Sequence, residues 1–287
     1  MKDQKLRIAI QKGGRLHDKS IDLLRSCGIK VENYHSKLLS ASSNFPLEVL
    51  FLRDDDIPGC VADGVADIGI VGQNVLAESS KQVIEHLELG FGKCRLSIAV
   101  PRSMAFEKIS DLNGLKIATS YPTILQNFLD KNQIDAELHE IAGSVEIAPS
   151  IGLADAIFDI VSTGSTLATN GLKEVHSVMQ SEAVLIRGNT ISAEATTLLD
   201  KICFRIKSVQ QASNNKYILL NAPNEHLDAI CDILPGMNSP TIMPLAKPGW
   251  SSVHSVVNED QFWDIIDALR DKGAEGILIV PIEKMFV

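Results

Sequence analysis

Short apolar runs of strand length alternate along this chain with segments whose apolar residues recur at helical spacing. That alternation predicts a parallel or mixed sheet with helices on its faces. Leu6–Gln11 reads as the first strand. Lys12-Gly13-Gly14-Arg15 turns into a helix with Ile21, Leu24 and Cys27 on one stripe and Gly28 at its end. Leu47–Leu52 reads as a buried strand, and Asp56 as the N-cap of the next helix, with Pro58 in its first turn. Ala66–Val71 and Leu96–Val100 read as further strands, the latter stopped by Pro101.

A second set follows. Ile109–Ala118 reads as a short helical turn, a glycine and a strand. Ser120-Tyr121-Pro122-Thr123 opens onto a helix with Ile124, Phe128 and Leu129 on one face. Ala136–Glu140 and Ile157–Val161 read as strands, the segment after Thr166 as a helix or extended turn, and Val178–Ile186 as strands able to return to the first set. Two α/β lobes joined by crossover strands resemble the type II periplasmic-binding-protein architecture, whose ligands sit between the lobes. Residues 1–98 with 177–210 are expected to form lobe I, and 99–176 lobe II.

Ser192–Val209 is a long helical pattern, and the polar run Gln210–Lys216 reads as a linker. Residues 211–287 then read β-α-β-β-α-β, the ferredoxin-like order, as a separate C-terminal domain.

The formal net charge of −9, without a basic cluster, argues against nucleic-acid binding through phosphate neutralisation. Single cations and turn backbone can still hold a phosphate. No apolar run approaches the roughly 20 residues of a membrane span. Five scattered cysteines without a C-x-x-C pair fit reduced thiols in the cytoplasm. With no signal-peptide pattern at the start, a cytoplasmic protein is expected. The seven histidines show no metal-binding spacing, and no G-x-S-x-G elbow supports a hydrolase triad.

The strongest chemical signal is an apolar strand ending in Ser162-Thr163-Gly164-Ser165-Thr166-Leu167. Hydroxyls and freed backbone N–H groups cluster there, and Gly164 lets the backbone approach a ligand, so the loop suits a phosphate. Asp155 and Asp159 flank it and could accept hydrogen bonds from sugar hydroxyls. A self-capped Ser/Thr turn explains the local pattern equally well. Lys12, Gly13 and Arg15 lie at a strand's C-terminal end, where ligands of open α/β sheets gather, although a solvated turn is an even alternative. Arg53-Asp54-Asp55-Asp56 reads better as a helix start than as a metal cage.

Gly143-Ser-Val-Glu-Ile-Ala-Pro149, Gly152-Leu-Ala-Asp-Ala-Ile157 and Asp159-Ile-Val-Ser-Thr-Gly164 together resemble the signature of the ATP phosphoribosyltransferase family. The resemblance extends over nearly the whole chain, through Arg7–Leu16, Arg53–Gly59, Ala66–Gly72, Cys94–Ser97, Ile117–Pro122 and Pro281–Met285. Ser150 departs from it, standing where an arginine is common. The resemblance implies transfer of the phosphoribosyl group of phosphoribosyl pyrophosphate to N1 of ATP, releasing pyrophosphate, as the first step of histidine biosynthesis. It implies magnesium carried on the substrate phosphates, and no protein metal ligands are assigned. The donor would be held by Asp155, Asp159 and Ser162–Leu167, and ATP by Lys12, Gly13, Arg15 and Tyr121. Lys12, Arg15 and Glu146 are candidates for catalysis. The C-terminal module looks like the regulatory domain of the family's long form. It implies feedback inhibition by histidine, with Ser239, Thr241, Ser252 and His254 as pocket candidates. A homo-oligomer, dimer and hexamer, without a separate regulatory subunit, is implied with it. A solute-binding protein or a transcriptional effector domain would share the lobes, but would need an export signal or a DNA-binding module.

Overall fold

The computed structural model describes residues 5–32, 38–234 and 239–286, and the chain divides into two compact units, residues 1–199 and 200–287. The first unit begins with β1 (Leu6–Gln11), α1 (Arg15–Ser26), β2 (Leu39–Ala41), β3 (Leu47–Leu52), α2 (Ile57–Ala62), β4 (Ile68–Gly72), α3 (Gln73–Glu78) and β5 (Ile84–Glu88). It continues through β6 (Cys94–Pro101), β7 (Lys116–Thr119), α4 (Pro122–Asn132), β8 (Glu137–Glu140), β9 (Ala156–Val161), α5 (Ser165–Thr169), β10 (Leu172–Ser181) and β11 (Ala183–Arg187). The chain passes along α6 (Ala193–Ser213) into the second unit. That unit holds β12 (Asn215–Pro223), α7 (Leu227–Ile233), β13 (Thr241–Pro244), β14 (Trp250–Asn258), α8 (Glu259–Asp271) and β15 (Glu275–Pro281).

Two sheets define the lobes. The first has the order β2-β3-β1-β4-β11-β5 and the second β10-β6-β9-β7-β8. β1 is parallel to β3 and β4, and β7 is parallel to β8 and β9, while β11 and β6 run antiparallel to their neighbours. This is the two-lobed architecture expected. β4 is buried along its length, as the central strand of a covered sheet must be. Gly69 is required there, because a Cβ would lie 2.7 Å from Ile57 Cγ2 on α2. In the second sheet Leu96, Ile98 and Val100 face one core, with Leu125, Leu129 and Phe158. Ala99, Val145, Ile157 and Leu167 form another. Each fully buried Leu, Ile or Phe contributes about 1.5–3 kcal/mol.

The lobe boundaries differ from the pattern-based ones. β6 begins at Cys94 and belongs wholly to the second sheet, and β10 stays in that sheet as far as Ser181. Only β11 returns, so the chain crosses back at Glu182 rather than near 177. The proposed linker Gln210–Lys216 does not exist, because α6 runs to Ser213 and β12 starts at Asn215. The strand expected from Ala66 begins at Ile68. Gln73 and Asn74, taken as its end, open α3. Asp56 occupies the cap position of α2 but makes no side-chain capping bond, because Asp54–Asp56 already form a 3₁₀ turn.

In the second unit the sheet order is β13-β14-β12-β15, all antiparallel, with α7 and α8 as the connecting helices. That is the ferredoxin-like arrangement. Ile218, Leu220, Ala222, Val253 and Val257 face the helices, with Ile230 and Leu269 in the same core.

Candidate functional site

β9 delivers its residues to the second sheet's C-terminal edge and then breaks. Gly164 takes a left-handed conformation (φ 80°), which a non-glycine residue adopts at a cost, and α5 starts at once. The Thr163 and Ser165 hydroxyls lie 3.0 Å apart, and Ala168 N–H closes the turn on the Gly164 carbonyl (3.1 Å). α5 is only five residues long, so the loop offers hydroxyls and backbone N–H groups rather than an extended helix dipole. Ser162–Leu167, Asp159 and Glu146 line a cavity of about 140 Å³. Leu167 is its buried anchor in the core.

Burial pushes the Asp159 carboxyl up to about 6. The Ile160 N–H, donating to its Oδ1 at 2.7 Å, opposes the shift, and the Glu146 charge adds to it. Asp155 does not join this site. It precedes β9, so about six residues of strand, or about 20 Å, separate it from the loop. There its carboxylate accepts the Lys116 N–H (2.9 Å) and ties β9 to β7.

A second cavity, about 460 Å³, opens between the lobes. Gln11, Leu16, Lys19, Asp54 and Asn74 line it from lobe I, Lys93 from the crossover, and Cys94 and Tyr121 from lobe II. Ile160 and Ser162 line both cavities, so the two share a wall. Tyr121 is held across the cleft by Asn74, whose Nδ2 donates to its hydroxyl (3.2 Å). Asn74 is fixed by Ser181, which accepts the Asn74 N–H (3.0 Å) and donates to its Oδ1 (2.9 Å). Burial, with the Asp159 charge, raises the Tyr121 phenol, which stays protonated. Burial likewise raises the Cys94 thiol, which offers no thiolate nucleophile.

Lys12 and Gly13 are exposed at the end of β1 and line neither cavity, and Lys12 N–H is bonded to the Leu52 carbonyl (2.8 Å). Arg15 opens α1, and its side chain lies outside the described residues. Lys19 and Lys93 are the cations that line the cleft. Lys93 belongs to the basic run Gly90–Arg95, which reads from sequence either as cleft-facing or as a hinge approach, whereas Lys19 was missed. Lys19 follows Arg15 by one helical turn, which was the available signal. Among the described residues, no group of three or more His, Cys, Asp or Glu side chains could hold a metal ion.

In the second unit, Thr241 pairs with His254 across β13 and β14, and Ser252 lies on the same face. The two His254 ring nitrogens are taken by Tyr217 Oη (2.7 Å, Nδ1) and Ser252 Oγ (2.9 Å, Nε2). Ser239 adjoins the undescribed 235–238 segment and donates to the Pro240 carbonyl (3.3 Å).

Fold and cleft together define a two-lobed α/β protein of type II periplasmic-binding-protein architecture, with a hydroxyl-rich loop on one cleft wall and a ferredoxin-like second unit. Residues 53–208 match the family model of ATP phosphoribosyltransferase, and residues 212–284 that of HisG, C-terminal domain. The chain is 58% identical over 280 residues to the ATP phosphoribosyltransferase of Cytophaga hutchinsonii, covering 98% of each protein. It is 56% identical over 282 residues to that of Bacteroides thetaiotaomicron, covering 98% of this chain and all of the relative. The structure resembles a chain of the Thermotoga maritima ATP phosphoribosyl transferase (HisG:HisZ) complex, with TM-score 0.61 and 28% identity, over 70% of this chain and 98% of that one. It also resembles Tv2483 bound to L-arginine, with TM-score 0.51 and 13% identity over 72% and 86% of the two chains, a likeness of fold alone. The chain belongs to the ATP phosphoribosyltransferase family. It is a pentosyltransferase of histidine biosynthesis.

Proposed function

We propose that the smaller cavity takes the 5-phosphate of phosphoribosyl pyrophosphate on the Ser162–Leu167 loop, and that the larger takes ATP beside Tyr121. The observation that carries this reading is the shared wall at Ile160 and Ser162. A ribose anchored by its phosphate in one cavity presents C1 to a base held in the other. Asp159 accepts hydrogen bonds from the ribose hydroxyls, with Glu146 beside it. Lys19 and Lys93 face the pyrophosphate and the ATP phosphates, and Lys12, Gly13 and Arg15, in the turn from β1 into α1, remain candidates for holding ATP.

The chemistry asks little of a base. N1 of adenine attacks C1 with a lone pair and has no proton to lose first. Holding that weak nucleophile in line supplies most of the acceleration. The cleft cations stabilise charge on the leaving pyrophosphate. Magnesium arrives on the substrate phosphates. The two carboxylates at the donor cavity, Asp159 and Glu146, suit sharing an ion with phosphate oxygens rather than caging one.

The second unit is read as the regulatory domain that binds histidine and inhibits the enzyme, on the open sheet face carrying Thr241, Ser252 and His254, with Ser239 at its rim. With that domain on the same chain, the protein works in the cytoplasm as a homo-oligomer, dimer and hexamer, without a separate regulatory subunit. Mixing it with ATP, magnesium and phosphoribosyl pyrophosphate is expected to raise the ultraviolet absorbance of N1-substituted adenine and release pyrophosphate, and histidine is expected to suppress both. Absence of product, with tight ligand binding retained, favours a binding protein instead.

A further inference from the structure

β10, β6 and β9 lie side by side, and Glu174 on β10 with Arg95 and Ser97 on β6 forms a buttress against the residue that follows β9, beneath the phosphate loop. Arg95 on β6 sends Nε and Nη2 to the two carboxylate oxygens of Glu174 on β10 (2.6 and 2.5 Å). Its Nη1 donates to the carbonyl of Ser162, the first residue after β9 (3.1 Å). Ser97, two residues along β6, donates to the same Glu174 carboxylate (2.8 Å). The guanidinium is therefore committed on both sides, and its fork matches a carboxylate and a carbonyl as an ammonium cannot.

We propose that Arg95 and Glu174 are a positioning pair that aims the loop's backbone donors at the substrate phosphate, and so govern affinity for phosphoribosyl pyrophosphate without touching it. The proposal rests on the reading of Ser162–Leu167 as the phosphate cradle. The Ser162–Thr163 peptide is trans, so its carbonyl and N–H point in opposite directions. Pinning the Ser162 carbonyl to Arg95 turns the Thr163 N–H away from the buttress. Thr163 lines the cavity, and its N–H has no hydrogen-bond partner among the described residues. Glu174 keeps the guanidinium from swinging off the carbonyl to meet the anion itself.

Steady-state kinetics of the full chain test this, with both substrates varied. Arg95→Met is expected to raise KM for phosphoribosyl pyrophosphate about tenfold, the effect of losing one charge-assisted hydrogen bond, while KM for ATP stays within about twofold. Arg95→Lys should not restore it. Glu174→Gln should raise it less, and the double variant should be no worse than Arg95→Met. If Arg95→Met fails to fold, Glu174→Gln and Arg95→Lys carry the test. An unchanged KM for phosphoribosyl pyrophosphate overturns the proposal, and so does an equal rise for both substrates. Thr166→Val is the control. If it raises that KM and the Arg95 and Glu174 variants do not, only the positioning pair is lost. If it leaves KM unchanged, the cradle reading itself has failed.

Discussion

Asp159 and Glu146 face the same cavity, and burial of Asp159, with the Glu146 charge beside it, lifts the Asp159 carboxyl to about 6. The folded value lies above the ordinary carboxylate value, so folding favours the protonated form. That stabilisation is present below the ordinary value and is lost as pH rises through about 6. Asp159→Asn is therefore expected to raise the unfolding temperature at pH 8 and leave it nearly unchanged at pH 4, measured by calorimetry. A parent and variant with the same unfolding temperature at pH 8 contradict the assignment.

The same carboxyl bears on substrate. Hydrogen bonds from ribose hydroxyls favour the ionised form, so kcat/KM for phosphoribosyl pyrophosphate should rise with pH through about 6. Asp159→Asn should flatten that limb and cost about ten- to hundredfold, the range for hydrogen bonds to a charged group. A limb that survives in the variant comes from the substrate's own phosphates.

Glu78 reaches across from α3 to cap α4. Its carboxylate accepts the N–H groups of Thr123 (2.8 Å) and Ile124 (3.0 Å), because Tyr121 at the cap position makes no side-chain capping bond. Glu78→Ala should lower stability by about 1 kcal/mol, the usual cost of a lost cap, read from urea denaturation. No change in the midpoint would show that water replaces the cap without loss.

Tyr121→Phe leaves Asn74 Nδ2 without its acceptor in a half-buried setting. A loss of about 1 kcal/mol in stability is expected, with a rise in KM for ATP and little change in KM for phosphoribosyl pyrophosphate. A shift confined to the second KM would move Tyr121 to the donor side.

Much of this was legible along the chain. The strands at Leu6–Gln11, Leu47–Leu52 and Ile157–Val161 stand out because most of their residues are apolar and at least half of each strand is buried, and the βαββαβ order of the last unit follows from periodicity alone. β5 was not, because its residues are exposed or half-buried and it joins the sheet only through β11. Asp155 looked equivalent to Asp159 from spacing. Only the direction of β9 shows that one stands at the loop and the other at the strand's far end. The Glu78 cap and the Asn74–Tyr121 bond join residues 45–47 positions apart, and no local pattern announces them.

The histidine reading is open to the full chain. Thr241→Val and His254→Leu should each weaken inhibition by histidine about tenfold or more, the worth of one buried polar contact, without altering turnover in its absence. Inhibition constants equal to the parent's in both variants would move the regulatory site off this sheet face.

The cradle at Ser162–Leu167 is tested most directly by the KM for phosphoribosyl pyrophosphate of Thr166→Val, an isosteric change that removes one hydroxyl from the cavity wall. The account predicts a rise of about tenfold with KM for ATP unchanged. A KM equal to the parent's would contradict it.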